Sequence, residues 1–307
     1  MKKKVTIVLA TYNGERYLRE QLDSIFRQSF LDYQLLIGDD CSTDNSVEII
    51  KEYQLIHKNI YLIVNSKRLG HVSNFENLIK QVDSEYIALC DQDDIWKEDK
   101  LYEAIGRLEE ANRLNLPILF HSDLEGIDSE NMSLYNSFFK KRGYAFPNKK
   151  SVDIMLGRSG IMGNTMVFNQ ALKNKILPFP KDLIVHDYWI ALVNEFTGKR
   201  ITSTNVLVKY RIHEKNTSKS FRLSSKSFKR ETIVLPYHNI QREKVLEEFK
   251  KRFKIRNKEL EVVDIFLDYL YFKKNKLSLI LSTCTYDFFR IGLIYKLKLY
   301  GAILWKK

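Results

Sequence analysis

Val5-Thr6-Ile7-Val8-Leu9-Ala10, running straight into Thr11-Tyr12-Asn13-Gly14-Glu15, sets how the rest of the chain reads. The first six residues are a short β-rich run, and the polar group after them, with its glycine, ends it. From residue 15 to 28 the apolar residues Tyr17, Leu18, Leu22, Ile25 and Phe26 then fall at helical spacing. Strand, polar turn and helix form the first unit. The lysines at positions 2 to 4 lend the start a faint likeness to a signal peptide. The apolar run is short, however, and no cleavage-site pattern follows it, so it reads as a first strand of a chain expected to stay in the cytosol.

Working outward, residues 33–38 read as a second strand and a helix begins near Asn45 with Val47, Ile50 and Tyr53 on one face. Residues 60–64 and 86–90 read as further strands, separated by a helix through Phe75, Leu78, Ile79 and Val82. Strands alternating with helices of this length predict βαβ units and an α/β fold with a mostly parallel sheet. Farther along, residues 119–124 read as a strand, 131–150 as a loop-rich excursion, and 163–168 and 206–212 as strands. A helix through Trp189, Leu192, Val193 and Phe196 lies between the last two. Beyond Ser218 the texture changes to long basic amphipathic stretches, which divides the chain into a domain over 1–217 and a helical basic region over 218–307.

The bulk properties agree with this division. A chain of 307 residues, 44% hydrophobic and 12% aromatic, can bury a full core. Its three cysteines, Cys41, Cys90 and Cys284, are widely separated and match no zinc or redox spacing, which fits a reducing compartment. The net charge of +12 falls entirely after residue 218, the first 218 residues being balanced. Such an excess points to an anionic surface, membrane or nucleic acid, met by the last segment alone.

Ligands of parallel α/β sheets bind at the carboxyl ends of the strands, and four polar segments stand there: Thr11-Tyr12-Asn13-Gly14-Glu15, Asp39-Asp40-Cys41-Ser42-Thr43-Asp44, Asn65-Ser66-Lys67-Arg68-Leu69-Gly70 and Asp91-Gln92-Asp93-Asp94. Residues two apart on an extended segment face one side, so Asp91 and Asp93 can present two carboxylates to one hard cation, Mg²⁺ or Mn²⁺. Asp94 is suited to capping a helix that starts near Trp96. Asp39 and Asp40 can receive the paired donors of a base or ribose, or can shape a turn. Lys67 and Arg68 can hold a phosphate or a base edge, or form a solvated turn. Asp187, beside His186, can act as a general base or as a helix cap. Arg211, His213 and Asn216 form a last polar cluster, in which His213 is a ligand to the cation of Asp93, a donor to phosphate, or a structural histidine.

Together these loops resemble the family-two glycosyltransferases, inverting enzymes with a GT-A type nucleotide-sugar-binding fold, over about residues 5–218. The elements that carry the resemblance are Ala10-Thr11-Tyr12-Asn13-Gly14-Glu15, Asp39-Asp40-Cys41-Ser42-Thr43-Asp44, Asp91-Gln92-Asp93-Asp94-Ile95-Trp96, His186-Asp187-Tyr188-Trp189 and Tyr210-Arg211-Ile212-His213. The resemblance implies that Thr11, Tyr12, Asn13, Glu15, Asp39, Asp40, Lys67, Asp91, Gln92 and Arg211 serve the nucleotide-sugar donor, one early carboxylate reading a uracil or thymine edge. It further implies that Asp91 and Asp93 form a DxD element touching ribose and metal, that Asp93 and His213 hold Mn²⁺ or Mg²⁺, and that Asp187 is the acceptor-activating base. Within the family the motifs look most like bacterial rhamnosyltransferases of surface polysaccharide. That implies dTDP-L-rhamnose as donor, UDP-glucose or UDP-galactose being the alternatives, and a saccharide acceptor carried on a lipid.

Between residues 265 and 305 apolar and aromatic residues are dense but broken by Lys273, Lys274, Lys276, Asp287, Arg290, Lys296 and Lys298, so no stretch reaches the roughly 18 apolar residues of a spanning helix. A surface-lying amphipathic helix on the inner face of the cell membrane is the expectation, and a helical cap on the catalytic domain the plain alternative. A nucleotidyltransferase would need a glycine-rich phosphate loop after the first strand, and Thr11 to Glu15 is not one. A nucleic-acid-binding protein would account for the charge but leave the acidic loops without a purpose, so no nucleic-acid partner is expected.

Overall fold

The computed structural model describes residues 2–111, 116–144, 146, 150–214, 240–253, 257–271, 275–286, 288 and 300. Asn216, the boundary near Thr217, and Lys273, Lys274, Asp287, Arg290, Lys296 and Lys298 of the basic segment lie outside the described residues. Contacts divide the chain into two compact units, one of residues 1–150, 161–179 and 185–215, the other of 151–160, 180–184 and 216–307.

The first unit is built on one sheet. Strands β1 (Val5–Thr11), β2 (Tyr33–Asp39), β3 (Ile60–Val64) and β4 (Tyr86–Asp91) alternate with helices α1 (Glu15–Phe26), α2 (Ser46–Ile56) and α3 (His71–Gln81). They pair in parallel in the order β3-β2-β1-β4, with Val5 opposite both Tyr33 and Tyr86. Val5, Ile7, Val8, Leu9, Leu35, Ile37, Ile87 and Leu89 are fully buried, as parallel strands covered on both faces must be. Burying each such side chain stabilises the fold by about 1.5–3 kcal/mol. Because all four strands run the same way, the loops that follow them gather on one edge.

The sheet continues with β5 (Ile95–Trp96), α4 (Lys100–Ala111), β6 (Ile118–Ile127), β7 (Ser133–Tyr135), α5 (Phe138–Arg142), a short 3₁₀ turn at Gly163–Thr165, β8 (Val167–Asn169), α7 (Gln170–Ile176), α8 (His186–Thr197) and β9 (Lys199–Arg211); α6 (Val152–Arg158) belongs to the second unit. The full order is β3-β2-β1-β4-β8-β6-β9-β5, with β7 beside β6. Strand β8 runs antiparallel to β4 and β6, β9 runs parallel to β6, and β5 antiparallel to β9. The α/β sheet flanked by helices is therefore as expected, and several local expectations are corrected. The helix placed near Trp96 starts at Lys100, because Ile95 and Trp96 pair with β9. The strand expected over 163–168 is a turn followed by three strand residues. The excursion over 131–150 contains β7 and α5, the latter capped by the Ser137 hydroxyl, which accepts the Lys140 N–H, and closed at Gly143 in the left-handed conformation.

The second unit has an apolar core of its own. Helices Ile240–Phe253, Asn257–Tyr271 and Lys276–Thr285 bury Val245, Leu246, Phe249, Val263, Phe266, Leu267 and Leu279. Arg242 donates to the carbonyls of Leu156 and Gly157 at the end of α6. Residue 157 must be glycine, since a Cβ there would meet the Phe288 carbonyl oxygen at 1.6 Å. Among the described residues no helix is long and apolar enough to cross a membrane.

Candidate functional site

The loops after β1 and β2 are laced to each other. Asn13, with a positive φ of 49°, donates its N–H to the Ser42 hydroxyl and accepts the Thr43 N–H on its own Oδ1. Gly14 N–H donates to the Ser46 hydroxyl, Glu15 N–H to Asp44, and the Glu15 carboxylate accepts both the main-chain and side-chain N–H of Asn45. Asp44 Oδ1 in turn accepts from Ser46 N–H and Oγ, and these bonds hold its carboxyl below the usual range against the opposing effect of burial. The sequence places Ser42 and Asp44 in the loop after β2 but gives neither a role, and Ser46 was missed, although the Asp-x-Ser spacing of a helix start was a usable signal.

Gln92 and Asp40, both expected to serve the donor, are engaged by neighbouring loops. Gln92 Oε1 accepts from the Thr11 hydroxyl at 2.6 Å and from Tyr12 N–H at 2.8 Å, while its Nε2 donates to the Tyr12 carbonyl. It is a strut between the ends of β1 and β4, and it engages Thr11 as well. Asp40 is buried, and its two oxygens accept the N–H groups of Leu69 and Gly70 and the Asn65 amide. It clasps the loop after β3. On that loop Lys67 is exposed, and the Arg68 guanidinium lies 3.9 Å from the centroid of the Tyr12 ring. Asp39 differs from its neighbour: Oδ2 accepts Ser42 N–H, but the fully buried Oδ1 has no partner.

Arg211, also expected to serve the donor, is held deep in the protein. Its side chain is fully buried, stacked 4.4 Å from the Tyr17 ring centroid, and donates to the Asp93 carbonyl, the Asp128 carbonyl, Asn131 and Glu20. Its own N–H donates to Asp94 Oδ1 at 3.0 Å. With its guanidinium engaged on every side by protein, Arg211 anchors the turn at residues 93 and 94 from below. Asp94 is likewise not a helix cap: it is buried, held also by the Asn164 amide at 2.5 Å, and burial beside Asp93 and Asp91 raises its carboxyl well above the usual range. Under the same turn the buried Lys100 donates to the Asn164 carbonyl at 2.7 Å, and burial pushes it down to about 7. Neither Asn164 nor Lys100 carries a local sequence signal, since each acts through a partner many residues away.

What this scaffold presents are Asp91, Asp93, His213 and Asp187. Asp93 Oδ2 and His213 Nε2 share a hydrogen bond of 2.8 Å, and the Tyr17 ring packs 5.1 Å from the imidazole. Two ligands at right angles about an ion about 2.1 Å from each are about 3 Å apart, so the pair fits one hard cation. Among the described residues no three His, Cys, Asp or Glu converge on a point, which leaves the other positions of such an ion to water and ligand oxygens. Asp91 is pushed up to about 7, by burial first and then by the charges of Asp93 and Asp187. Asp187 lies in the first turn of α8, where Val185 occupies the cap position, and burial pushes it up to about 6 although the N–H groups of Tyr188 and Gly163 pull it down. The cluster thus carries more negative charge than its surroundings neutralise.

Comparison with known proteins gives this site a family. A model of glycosyl transferase family 2 matches residues 6–167. The chain is 48% identical over 102 residues, 32% of its length and 35% of the relative's, to the dTDP-rhamnosyl transferase RfbG of Shigella flexneri. It is 30% identical over 221 residues, 69% of its length and 71% of the relative's, to an uncharacterized glycosyltransferase of Methanocaldococcus jannaschii. The match to RfbG, and another to a teichuronic acid biosynthesis glycosyltransferase of Bacillus subtilis, spans 35% and 40% of those relatives. Among solved structures, S. aureus TarS in complex with UDP-GlcNAc superposes with a TM-score of 0.60 at 16% identity, over 98% of this chain and 79% of that one. A mannosyltransferase of Pyrobaculum calidifontis in complex with GDP-Man and Mn²⁺ gives 0.57 at 16% identity, over 99% and 81%. The fold is accordingly of the GT-A type.

Proposed function

We propose, because this chain belongs to glycosyl transferase family 2, that it moves a sugar from a nucleotide-sugar donor to a hydroxyl of a bacterial surface polysaccharide, with inversion at the anomeric carbon. The observation that carries the reading is the arrangement at the carboxyl edge of the sheet: a half-buried carboxyl, Asp187, close enough to Asp91 to raise it, beside the Asp93–His213 pair. The unpartnered Oδ1 of Asp39 suits the ring N–H of a uracil or thymine, and the Tyr12–Arg68 stack offers a flat surface to the same base. Asp91 faces the ribose. Asp93 and His213 would hold Mn²⁺ or Mg²⁺, which when bound supplies positive charge against the diphosphate.

Asp187 removes the proton of the acceptor hydroxyl, whose oxygen forms the new bond to the anomeric carbon as the bond to the nucleoside diphosphate breaks. A base whose carboxyl is raised to about 6 is still ionised at neutral pH and is a better proton acceptor than an ordinary carboxylate. dTDP-L-rhamnose is the favoured donor, supported by the likeness to a dTDP-rhamnosyl transferase. The acceptor is a saccharide, carried on a lipid. The charge excess after residue 218 supports contact with an anionic membrane surface; sedimentation of the full chain with anionic but not neutral liposomes checks this, and equal recovery with both removes it.

The test of function is nucleotide release from a panel of dTDP- and UDP-sugars, with Mn²⁺ and with EDTA. Release from dTDP-L-rhamnose that falls about 10²–10³-fold on chelation is expected. Release indifferent to EDTA overturns the metal assignment, and preference for UDP-glucose or UDP-galactose replaces the donor.

A further inference from the structure

His186, the residue before the base, has a role that the mechanism above does not use. It opens α8 and is only 7% exposed, yet neither ring nitrogen has a partner. Its ring packs 4.3 Å from the Phe75 ring centroid and 5.9 Å, edge on, from that of His71. On the other side it lies so close to Gly163 that a Cβ there would stand 3.0 Å from Nε2 and 3.6 Å from the Cβ of Asp187. Burial and the neighbouring His71 push the imidazole down to about 3, so at neutral pH it is uncharged, with one N–H to give and one lone pair to receive. An apolar ring would fill the same space without leaving two polar atoms bare. Among the described residues no group satisfies them.

The position of the ring limits what that group is. Phe75 and His71 belong to α3, which begins directly after the loop that Asp40 clasps, whereas Asp187 is held at the Gly163 turn. His186 therefore stands between the base and the loops on the nucleotide side. The sugar of a donor has to lie there for its anomeric carbon to face a hydroxyl held by Asp187. A hydroxyl both gives and accepts, as a neutral imidazole does. We propose that His186 hydrogen-bonds a hydroxyl of the donor sugar, and so selects among donors by where that hydroxyl sits; the inference rests on the transferase reading given above.

The experiment is nucleotide release without added acceptor, from dTDP-L-rhamnose and from UDP-glucose, by the full chain and by His186→Phe, His186→Met and His186→Gln, each checked for folding by its thermal melt. Loss of one hydrogen bond at a buried contact raises donor KM about tenfold in the Phe and Met variants. Gln, which keeps an N–H and a carbonyl, recovers most of that loss. Inhibition by free dTDP or UDP stays within twofold of the unsubstituted chain in all three, because the nucleotide end is untouched. Met serves in place of Phe if the larger ring prevents folding. Unchanged donor KM in Phe or Met overturns the proposal, as does a loss shared equally by Gln with weaker dTDP or UDP inhibition, which marks a packing role. No release by the unsubstituted chain from any donor of the panel instead defeats the transferase reading, and this inference with it.

Discussion

The two halves of the site are built on opposite plans. Around the ends of β1 and β2 nearly every polar group, main-chain or side-chain, is engaged by the neighbouring loop: Asn13 with Ser42 and Thr43, Gly14 N–H with Ser46, Glu15 with Asn45, Thr11 with Gln92. Around the end of β4 and the start of α8 burial raises the carboxyls of Asp91 and Asp187 to about 7 and about 6, and the charges of Asp93 and Asp187 add to the shift of Asp91. The first half is fixed before any ligand arrives. The second carries charge that its surroundings leave unbalanced, which the proposed cation would offset. In the function proposed above the rigid wall recognises and the crowded set of charges reacts; Arg211 lies under the junction of the two, stacked on Tyr17 and bonded to the Asp93 carbonyl.

Breaking the reactive half has the largest effect. Asp187→Asn lowers the rate of transfer by about 10²–10⁴-fold with little change in melting temperature, as expected for loss of a general base. In the unsubstituted protein the rate falls about tenfold per pH unit below about 6, where Asp187 takes up its proton; a flat profile from pH 7 to 5 would exclude Asp187 as the base.

Next comes the junction. Arg211→Met leaves the Asp93 carbonyl and the Asn131 side chain without their donor and removes the cation beside the half-exposed Glu20, and it destabilises the protein by about 3 kcal/mol in urea unfolding. It also weakens Mn²⁺ stabilisation, because the turn at Asp93 is released. Unaltered unfolding would mean that the buried guanidinium is dispensable.

The third prediction sharpens the contrast through its sign. A carboxyl raised in the folded state binds more protons folded than unfolded, so stability falls as pH rises from about 4 toward 7. Asp91→Asn therefore raises the melting temperature of the metal-free protein at pH 8, has little effect at pH 4, and lowers transfer. The same linkage makes added Mn²⁺ more stabilising at pH 8 than at pH 5. A variant that melts lower at pH 8 would show that Asp91 is stabilised by contacts rather than opposed by charge.

On the laced half the effect is smallest. Ser46→Ala removes the acceptor of Gly14 N–H and a donor to Asp44, costs about 1 kcal/mol and raises donor KM a few fold without changing kcat. A change in kcat of the size expected for Asp187 would dissolve the distinction between the two halves.

The sheet and its four loops were legible in the sequence because parallel strands buried on both faces leave continuous apolar runs, with polar residues crowded at their ends. Local pattern also singled out Asp93, Asp187 and His213 as candidates, and Asp93 and His213 share a hydrogen bond in the structure. It could not tell Asp39 from Asp40, two identical side chains of which one is engaged by Leu69 and Gly70 and the other keeps a bare oxygen. Nor could it show that Arg211 and Gln92 face inward, since their partners stand some 80 to 190 residues away. Strand β9 ran longer than its apolar signal because its register with β6 shifts near Ser122 and Asp123, which breaks the period-two pattern.

Arg211 also bears on the order in which the protein comes into being. A ribosome delivers β1 to β4 and the loops after them more than a hundred residues before it delivers residue 211, so the nascent chain can assemble its laced loops early. The turn that carries Asp93 and Asp94 waits for its anchor. Until β9 emerges and slots between β6 and β5, the newborn polypeptide holds every acidic group of the site and no means of aiming them.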